Sequence, residues 1–201
     1  MKHKPLFITL EGGEGAGKTT LIEGLASHFE KQGRKVLITR EPGATPLGLK
    51  IRHLLLHEKE APAKRAELFL FLADRAEHVE KVITPALERG EVVISDRFFD
   101  STIAYQGAAR NFSLEKIQEM SLFATNDLIP TRTFFLDIDP EIGLKRAGNV
   151  GEQDRLESEN IKFHEAVRKG FQDLANQEDR ICTLDATLPP EKVLAEAIKC
   201  L

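Results

Sequence analysis

Cysteine is scarce in this sequence. Cys182 and Cys200 are the only two; they stand far apart and form no C-x-x-C pair, which argues against a thiol motif and makes a reducing cytoplasm the simple inference. Long hydrophobic runs are missing. No stretch approaches a membrane span, so no membrane partner is expected. The apolar run after Met1-Lys2-His3-Lys4 extends only over Leu6–Leu10 before Glu11, too short for the apolar core of a signal peptide. Excess positive charge is absent as well. Twenty-eight Lys and Arg against 32 Asp and Glu leave a net charge of −4, which argues against a general nucleic-acid binder. Any anion site must therefore be a local cluster of cations. Internal repeats and low-complexity segments are lacking. At 201 residues, 41% of them apolar, the expectation is a single domain over 1–201 with a sizeable core.

What is present is concentrated in Gly12-Gly13-Glu14-Gly15-Ala16-Gly17-Lys18-Thr19. This stretch fits G-x-x-x-x-G-K-[ST], the phosphate-binding loop, and stands between an apolar run and the helical run Thr20–Gln32. The glycines let backbone N–H groups turn inward around an anion, and the helix that follows points its positive end at the same place. Lys18 then reaches the β- and γ-phosphates, and the Thr19 hydroxyl ligates Mg²⁺. A nucleoside triphosphate is the expected ligand.

Short apolar runs recur at Leu6–Leu10, Val36–Thr39, Val92–Ser95, Thr133–Asp137 and Ile181–Asp185. Each is too short for a helix and is rich in Ile, Val, Phe or Thr. The segments between them are long enough for helical crossovers. The alternation predicts an α/β fold: a five-stranded parallel sheet flanked by helices. Ligands in such sheets bind beyond the carboxyl ends of the strands, which directs attention to Glu11–Thr19, Arg40–Thr45, Asp96-Arg97 and Asp137–Asp139. Asp96 at the end of a buried strand suits Mg²⁺, and Arg97 beside it suits a second phosphate. Arg40 closes the second strand before the Pro42-Gly43 turn, so two arginines converge on one mouth. The Lys64–Arg89 helix predicts a core stripe of Phe69, Leu72, Ala76, Val79, Ile83 and Leu87, with Leu68, Leu70 and Phe71 outside it. Phe71 and Arg75 share a face, suited either to a nucleobase or to ordinary core and solvent. Thr102, Tyr105 and Gln106 follow at helical spacing, where a plain polar face is the competing reading. Gly148–Asp154 reads as a mobile loop or an ordinary connector, flanked by Arg146, Arg155 and Glu157. His53 and His57 share a helix face but have no third ligand nearby.

Together these segments resemble thymidylate kinase over nearly the whole chain. The matching stretches are Glu11–Thr19, Arg40-Glu41-Pro42-Gly43-Ala44-Thr45, Phe71-Leu72-Ala73-Asp74-Arg75, Asp96-Arg97-Phe98, Ser101–Gly107 and Asp154-Arg155-Leu156-Glu157. The resemblance implies a P-loop nucleoside monophosphate kinase that carries out ATP + dTMP → ADP + dTDP with Mg²⁺, as a homodimer. By family role, Gly12 to Thr20 and Arg146 bind ATP. Phe71 stacks on thymine and Arg75 bonds its edge. Arg40 and Arg97 hold the dTMP phosphate, near Pro42 and Ser101. Glu14 faces the sugar 3′-hydroxyl, Tyr105 crowds the 2′ position, and Thr102 and Gln106 line the base pocket. Thr19 and Asp96 are the metal candidates. Glu14 in the loop looks like the bacterial subtype, which keeps catalytic arginines in a lid, here about 148–156. The family's Pro-Gly-Gly-Thr is Pro-Gly-Ala-Thr here, and Gly148, Asn149 and Val150 stand where relatives often carry arginines. That puts the lid's transition-state role mainly on Arg155, when the lid closes, with Arg146 in reserve, beside Lys18, Arg97 and Glu14.

Two rivals remain at this point. A deoxynucleoside kinase would use Glu41 as the base that deprotonates a 5′-hydroxyl. A GTPase switch would need an N-K-x-D motif; Thr125-Asn126-Asp127-Leu128 is not one, and none occurs elsewhere.

Overall fold

The computed structural model describes residues 4–110, 112–148 and 155–201. The chain crosses one sheet five times, as β1 (Leu6–Glu11), β2 (Val36–Arg40), β3 (Val92–Asp96), β4 (Arg132–Asp137) and β5 (Ile181–Asp185), all parallel in the order β2-β3-β1-β4-β5. Each strand lies where an apolar run predicted it, with ends that differ by at most a residue. The runs are continuous rather than alternating because the central strands are covered on both faces. Phe7, Ile8, Leu10, Val92, Val93 and Ile94 are all but inaccessible to solvent. Strand order reverses at β1, which has β3 on one side and β4 on the other. The chain leaves β1 into the phosphate loop at that crevice, where this sheet class binds its ligands.

The helical elements are α1 (Lys18–Lys31), α2 (Pro46–Leu56), α3 (Lys64–His78), α4 (Thr84–Glu88), α5 (Phe99–Thr102), α6 (Leu114–Thr125), α7 (Pro140–Ala147), α8 (Ile161–Ala175) and α9 (Pro190–Lys199). One apolar cluster joins the sheet to α1 and α9 through Leu21, Leu25, Phe29, Val193 and Ala197. A second joins the other face to α3, α4 and α6.

The stretch expected as one helix over Lys64–Arg89 is helical, but α3 passes through a π-turn, Val79–Ile83, into α4. Its stripe also differs from the expectation. Leu68 is 3% exposed and packs with Leu72, Val79 and Ile83, whereas Phe69 is 60% exposed. The physical reason is that the inner face of α3 is partly polar. Leu72, Val79 and Ile83 of the expected stripe are in the core, but Glu67, Asp74, Arg75 and His78 are buried beside Leu68 and Leu72, so a rule that sends every apolar side chain inward picks Phe69 in place of Leu68 at the first turn. A second π-segment, Ile103–Ala109, continues α5 and carries Tyr105 and Gln106. Such segments occur disproportionately at functional sites.

The cysteines require a correction. Cys182 on β5 and Cys200 after α9 are far apart in sequence but joined as a disulfide, with Cα atoms 6.6 Å apart. Their spacing therefore gives no argument for a reducing compartment. Among the described residues no helix is long and apolar enough to cross a membrane.

Candidate active site

The phosphate loop forms because glycine occupies the positions that need it. Gly12, Gly15 and Gly17 have φ of 140°, 64° and 93°, backbone that L side chains rarely adopt. Gly15 also meets Gly143 of α7 at very close range. A Cβ on Gly15 would lie 2.1 Å from the Gly143 carbonyl oxygen, and a Cβ on Gly143 would lie 2.3 Å from that of Glu14. This mutual contact seats α7 against the loop and brings Arg146 beside it, where its guanidinium donates to the Ala186 carbonyl at 2.9 Å. Lys18 folds back over the loop, Nζ donating to the Gly12 and Gly13 carbonyls at 3.2 and 3.0 Å. Burial pulls its pKa down.

Arg97 follows β3 with φ of 72°. Its N–H donates to the Leu10 carbonyl at 3.0 Å, and its own carbonyl accepts the Ser95 hydroxyl at 2.8 Å. Glu11, fully buried, ties down what comes next: it accepts the Phe98 N–H at 2.7 Å and the Ser101 hydroxyl at 2.5 Å. So held, the Arg97 guanidinium reaches back to the Gly12 carbonyl at 3.1 Å, Ser101 Oγ at 3.2 Å and Glu14 Oε1 at 2.6 Å. Tyr105 donates to that same Glu14 oxygen at 3.1 Å, and the guanidinium lies 5.1 Å from the Tyr105 ring centre. Burial alone would raise the Glu14 pKa, but the charges of Arg97 and Lys18 win and take it down to about 2. Glu11 goes the other way, up to about 8, pushed by burial and then by the charge of Asp100. Burial also raises Tyr105.

Beside this cluster opens a cleft of about 190 Å³ lined by Glu14, Lys18, Arg40, Glu41, Pro42, Phe71, Arg75, Asp96, Arg97, Ser101, Thr102, Tyr105 and Gln106 among others. The acceptor residues expected from sequence all line it, drawn from the ends of β1, β2 and β3, from α3, and from α5 with the π-segment that continues it. Arg75 is 1% exposed and held on several sides. It bonds Glu41 Oε2 at 2.9 Å, Thr102 Oγ1 at 2.9 Å and the Phe98 carbonyl at 3.1 Å. Glu41 is committed too, its second oxygen meeting His78 Nδ1 at 2.9 Å. The Pro42-Gly43 turn is pinned by Asp74, whose Oδ1 accepts the Gly43 N–H at 3.0 Å; burial, then the Glu41 charge, raises Asp74 to about 6. Gly43 takes the positive φ there, 111°, and Ala44 does not, so the alanine in Pro-Gly-Ala-Thr fits without strain.

Arg155 is expected on the migrating phosphoryl group only when the lid closes; in this structure its side chain is held at the rim of the cleft. Nε donates to the Leu55 carbonyl at 2.8 Å and a terminal nitrogen to Glu67 Oε2 at 2.5 Å. The reason is electrostatic: Glu67 is 1% exposed, and a buried carboxylate left without its cation costs several kcal/mol. The arginine expected on the migrating phosphoryl group thus fastens the rim of the cleft, with Leu156 and Glu157 lining it next in the chain. Asn149 to Asp154, most of the predicted lid, lie outside the described residues. Arg52 and Leu56 also line the cleft, and neither they nor the roles of Glu11 and Glu67 carry a sequence signal. Arg52, which donates to the Pro42 carbonyl at 3.0 Å, had no motif to mark it.

The donor set suits a metal that arrives with a polyphosphate. Asp96 Oδ1 is buried with no hydrogen-bond partner among the described residues, and Thr19 is exposed at the start of α1. Among the described residues no group of three or more His, Cys, Asp or Glu gathers to hold a metal by itself. His53 and His57 stand with ring centres 5.9 Å apart.

The family model for thymidylate kinase matches residues 10–197. The chain belongs to the thymidylate kinase family. It is 49% identical to a thymidylate kinase of Protochlamydia amoebophila, covering 100% of this chain and 93% of that protein. It is 48% identical to one of Carboxydothermus hydrogenoformans, covering 94% and 93%. Among solved structures, a thymidylate kinase from Ehrlichia chaffeensis superposes with a TM-score of 0.79 at 33% identity, covering 97% of each chain. The sheet and loop described above are thus those of a P-loop nucleoside monophosphate kinase, and the enzyme class is that of a phosphotransferase.

Proposed function

We propose that this thymidylate kinase family member transfers the γ-phosphoryl group of ATP to dTMP, giving ADP and dTDP, within one domain over 1–201. The observation that carries the reading is the lining of one cleft. Lys18 and Arg97 line it together with Phe71, Arg75, Thr102 and Gln106, so groups suited to a phosphate and groups suited to a base share one cavity. ATP lies along Gly12 to Thr20, with Arg146 toward its base. The acceptor phosphate meets Arg97 and Arg40, next to Pro42 and Ser101. Glu14 and Tyr105 face the sugar, and the base lies between Phe71 and the Arg75 edge. A phosphate acceptor is already anionic, so no general base is required; positioning two anions and neutralising the charge between them is the work. Lys18 and Arg97 supply that charge from fixed positions, and Glu14 keeps Arg97 aimed. Thr19 and Asp96 would hold Mg²⁺, which adds charge neutralisation on the transferring phosphates. Arg155, held by Glu67 in this structure, adds its charge to the transferring phosphoryl group when the lid of about 148–156 closes, with Arg146 in reserve.

The deoxynucleoside kinase alternative is disfavoured by Glu41. Both its carboxylate oxygens are occupied, by Arg75 and by His78, so it stands as an anchor rather than a base. We also propose a homodimer in a cytoplasmic setting, with the exposed Phe69 and Phe123 in its contact. A coupled ADP-release assay against nucleoside monophosphates tests the activity. The expected result is dTMP ahead of dUMP, dCMP, AMP and GMP; faster turnover of AMP or GMP would overturn the reading.

A further inference from the structure

Glu67 of α3 is a carboxylate with 1% exposure at the back of the acceptor cleft, outside its lining. Three donors converge on it. Oε2 takes Arg155 at 2.5 Å; Oε1 takes Gln106 Nε2 at 3.0 Å and faces Arg110 Nε at 3.5 Å. Arg110 is shared with Glu159, at 2.7 Å, and lies 4.8 Å from the Phe163 ring centre. The bond to Gln106 has a consequence for recognition. An amide side chain has one donating end and one accepting end, and a carboxylate flanked by two guanidinium groups only accepts. Gln106 must therefore turn its NH₂ to Glu67. Gln106 itself lines the cleft; with one N–H spent on Glu67 and its nitrogen held there, it has a second N–H on that nitrogen and, on the other side of the amide, the oxygen. That oxygen accepts a hydrogen bond and repels another acceptor.

We propose that Glu67 is a specificity-determining residue of the acceptor site. By fixing the orientation of the Gln106 amide, it selects a pyrimidine that carries N–H at ring position 3 over one that presents a bare nitrogen there. Glu67 does so without touching the base. Rotating the amide to donate to a bare ring nitrogen would set its oxygen against the Glu67 carboxylate, which is repulsive and leaves the NH₂–carboxylate bond unmade. The inference rests on the assignment of this cleft to the nucleoside monophosphate.

The test compares dTMP with 5-methyl-dCMP, which differs from it only at ring position 3 and the adjoining position 4. In Glu67→Gln the side chain at 67 can donate or accept, so the Gln106 amide can turn either way. The ratio of kcat/KM for dTMP over 5-methyl-dCMP is expected to fall by about tenfold or more. Arg110→Gln removes one cation from Glu67 but leaves the Gln106 bond, and should hold the ratio within about twofold of wild type. A purely structural role for Glu67 would weaken both substrates together and leave the ratio unchanged; that result in folded Glu67→Gln overturns the proposal. Should Glu67→Gln fail to fold, the wild-type protein decides. Its Gln106 side-chain amide resonances should stay in place and stay protected from exchange when dTMP binds, and a large shift with loss of protection overturns the proposal. Failure of the wild type to phosphorylate dTMP would instead sink the assigned reaction, which is a different outcome from a wild type that prefers dTMP and a Glu67→Gln that prefers it equally.

Discussion

Arg97 sits in left-handed backbone, which costs a non-glycine residue about 1–2 kcal/mol. Its neighbours hold it there: the Leu10 carbonyl, the Ser95 hydroxyl and the Glu11 carboxylate one residue on. The result is a guanidinium aimed at the phosphate loop. Arg97→Ala should raise the KM for dTMP by about ten- to a hundredfold, the worth of a charge-assisted phosphate contact, with far less change in the KM for ATP. Steady-state kinetics with each substrate varied checks this, and an effect confined to ATP would move Arg97 to the donor side. Glu14, its partner, has a folded pKa of about 2 against an ordinary 4.5. A depressed carboxylate stabilises the fold above its unfolded pKa and stops doing so as pH falls through the folded one. The window is therefore about pH 4.5 down to 2, and the size of the effect is of order 3 kcal/mol. Melting curves across that window should fall less steeply for Glu14→Gln than for wild type; parallel curves would show that Glu14 contributes nothing to the acid limb. The motif residues were legible one by one because loop chemistry fixes their spacing. Glu11, Arg52 and Glu67 were not. Their partners come from distant segments, and a carboxylate on a helix reads as a solvated face until its arginines are in place.

Elements were more legible than their phases. A strand covered on both faces needs an unbroken apolar run, so the central strands stood out, as did the edge strands β2 and β5, only partly buried but marked by their Ile, Val, Leu and Thr. The inner face of α3 did not, because building the cleft forces Glu67, Asp74, Arg75 and His78 inward and leaves Phe69 outward. The π-segments Val79–Ile83 and Ile103–Ala109 carry no sequence signature of their own. The contact between α7 and the phosphate loop was equally silent, since it depends on two glycines far apart in sequence. It makes a sharp prediction. In Gly143→Ala the new Cβ meets the Glu14 carbonyl oxygen at 2.3 Å, and backbone on both sides leaves no flexible side chain to yield. The loop or α7 must shift, at a cost of about 1–3 kcal/mol. The KM for ATP should rise and kcat should fall, with dTMP binding less affected because Phe71 and Arg75 sit on α3. Thermal melting and two-substrate kinetics check it. Wild-type ATP kinetics would mean that the loop tolerates displacement.

At the scale of the whole molecule, the apolar surface is unevenly spread. Phe123 on α6 is 89% exposed, Phe69 on α3 60% and Leu114 on α6 54%. The two helices pack against each other, so their exposed side chains belong to neighbouring elements. Rings this open are costly to leave in water, at about 25 cal/mol per Å² of apolar area, and contiguous apolar area on a monomer marks an interaction face. An isologous contact between two copies would cover both helices at once. It would also act on the cleft. α3 carries Phe69 outward and Phe71 and Arg75 toward the acceptor, so covering one side of the helix steadies the other. Replacing both rings, Phe69→Glu with Phe123→Glu, puts like charges on a surface that must meet itself. Sedimentation should show the wild type as a dimer at micromolar concentration and the double variant as a monomer. The monomer should bind dTMP more weakly than wild type while its ATP affinity changes little, because the phosphate loop stands on β1 and α1, away from this face. A wild type that stays monomeric at high micromolar concentration would remove the interface. A monomeric variant with wild-type dTMP kinetics would keep the interface but sever it from the site.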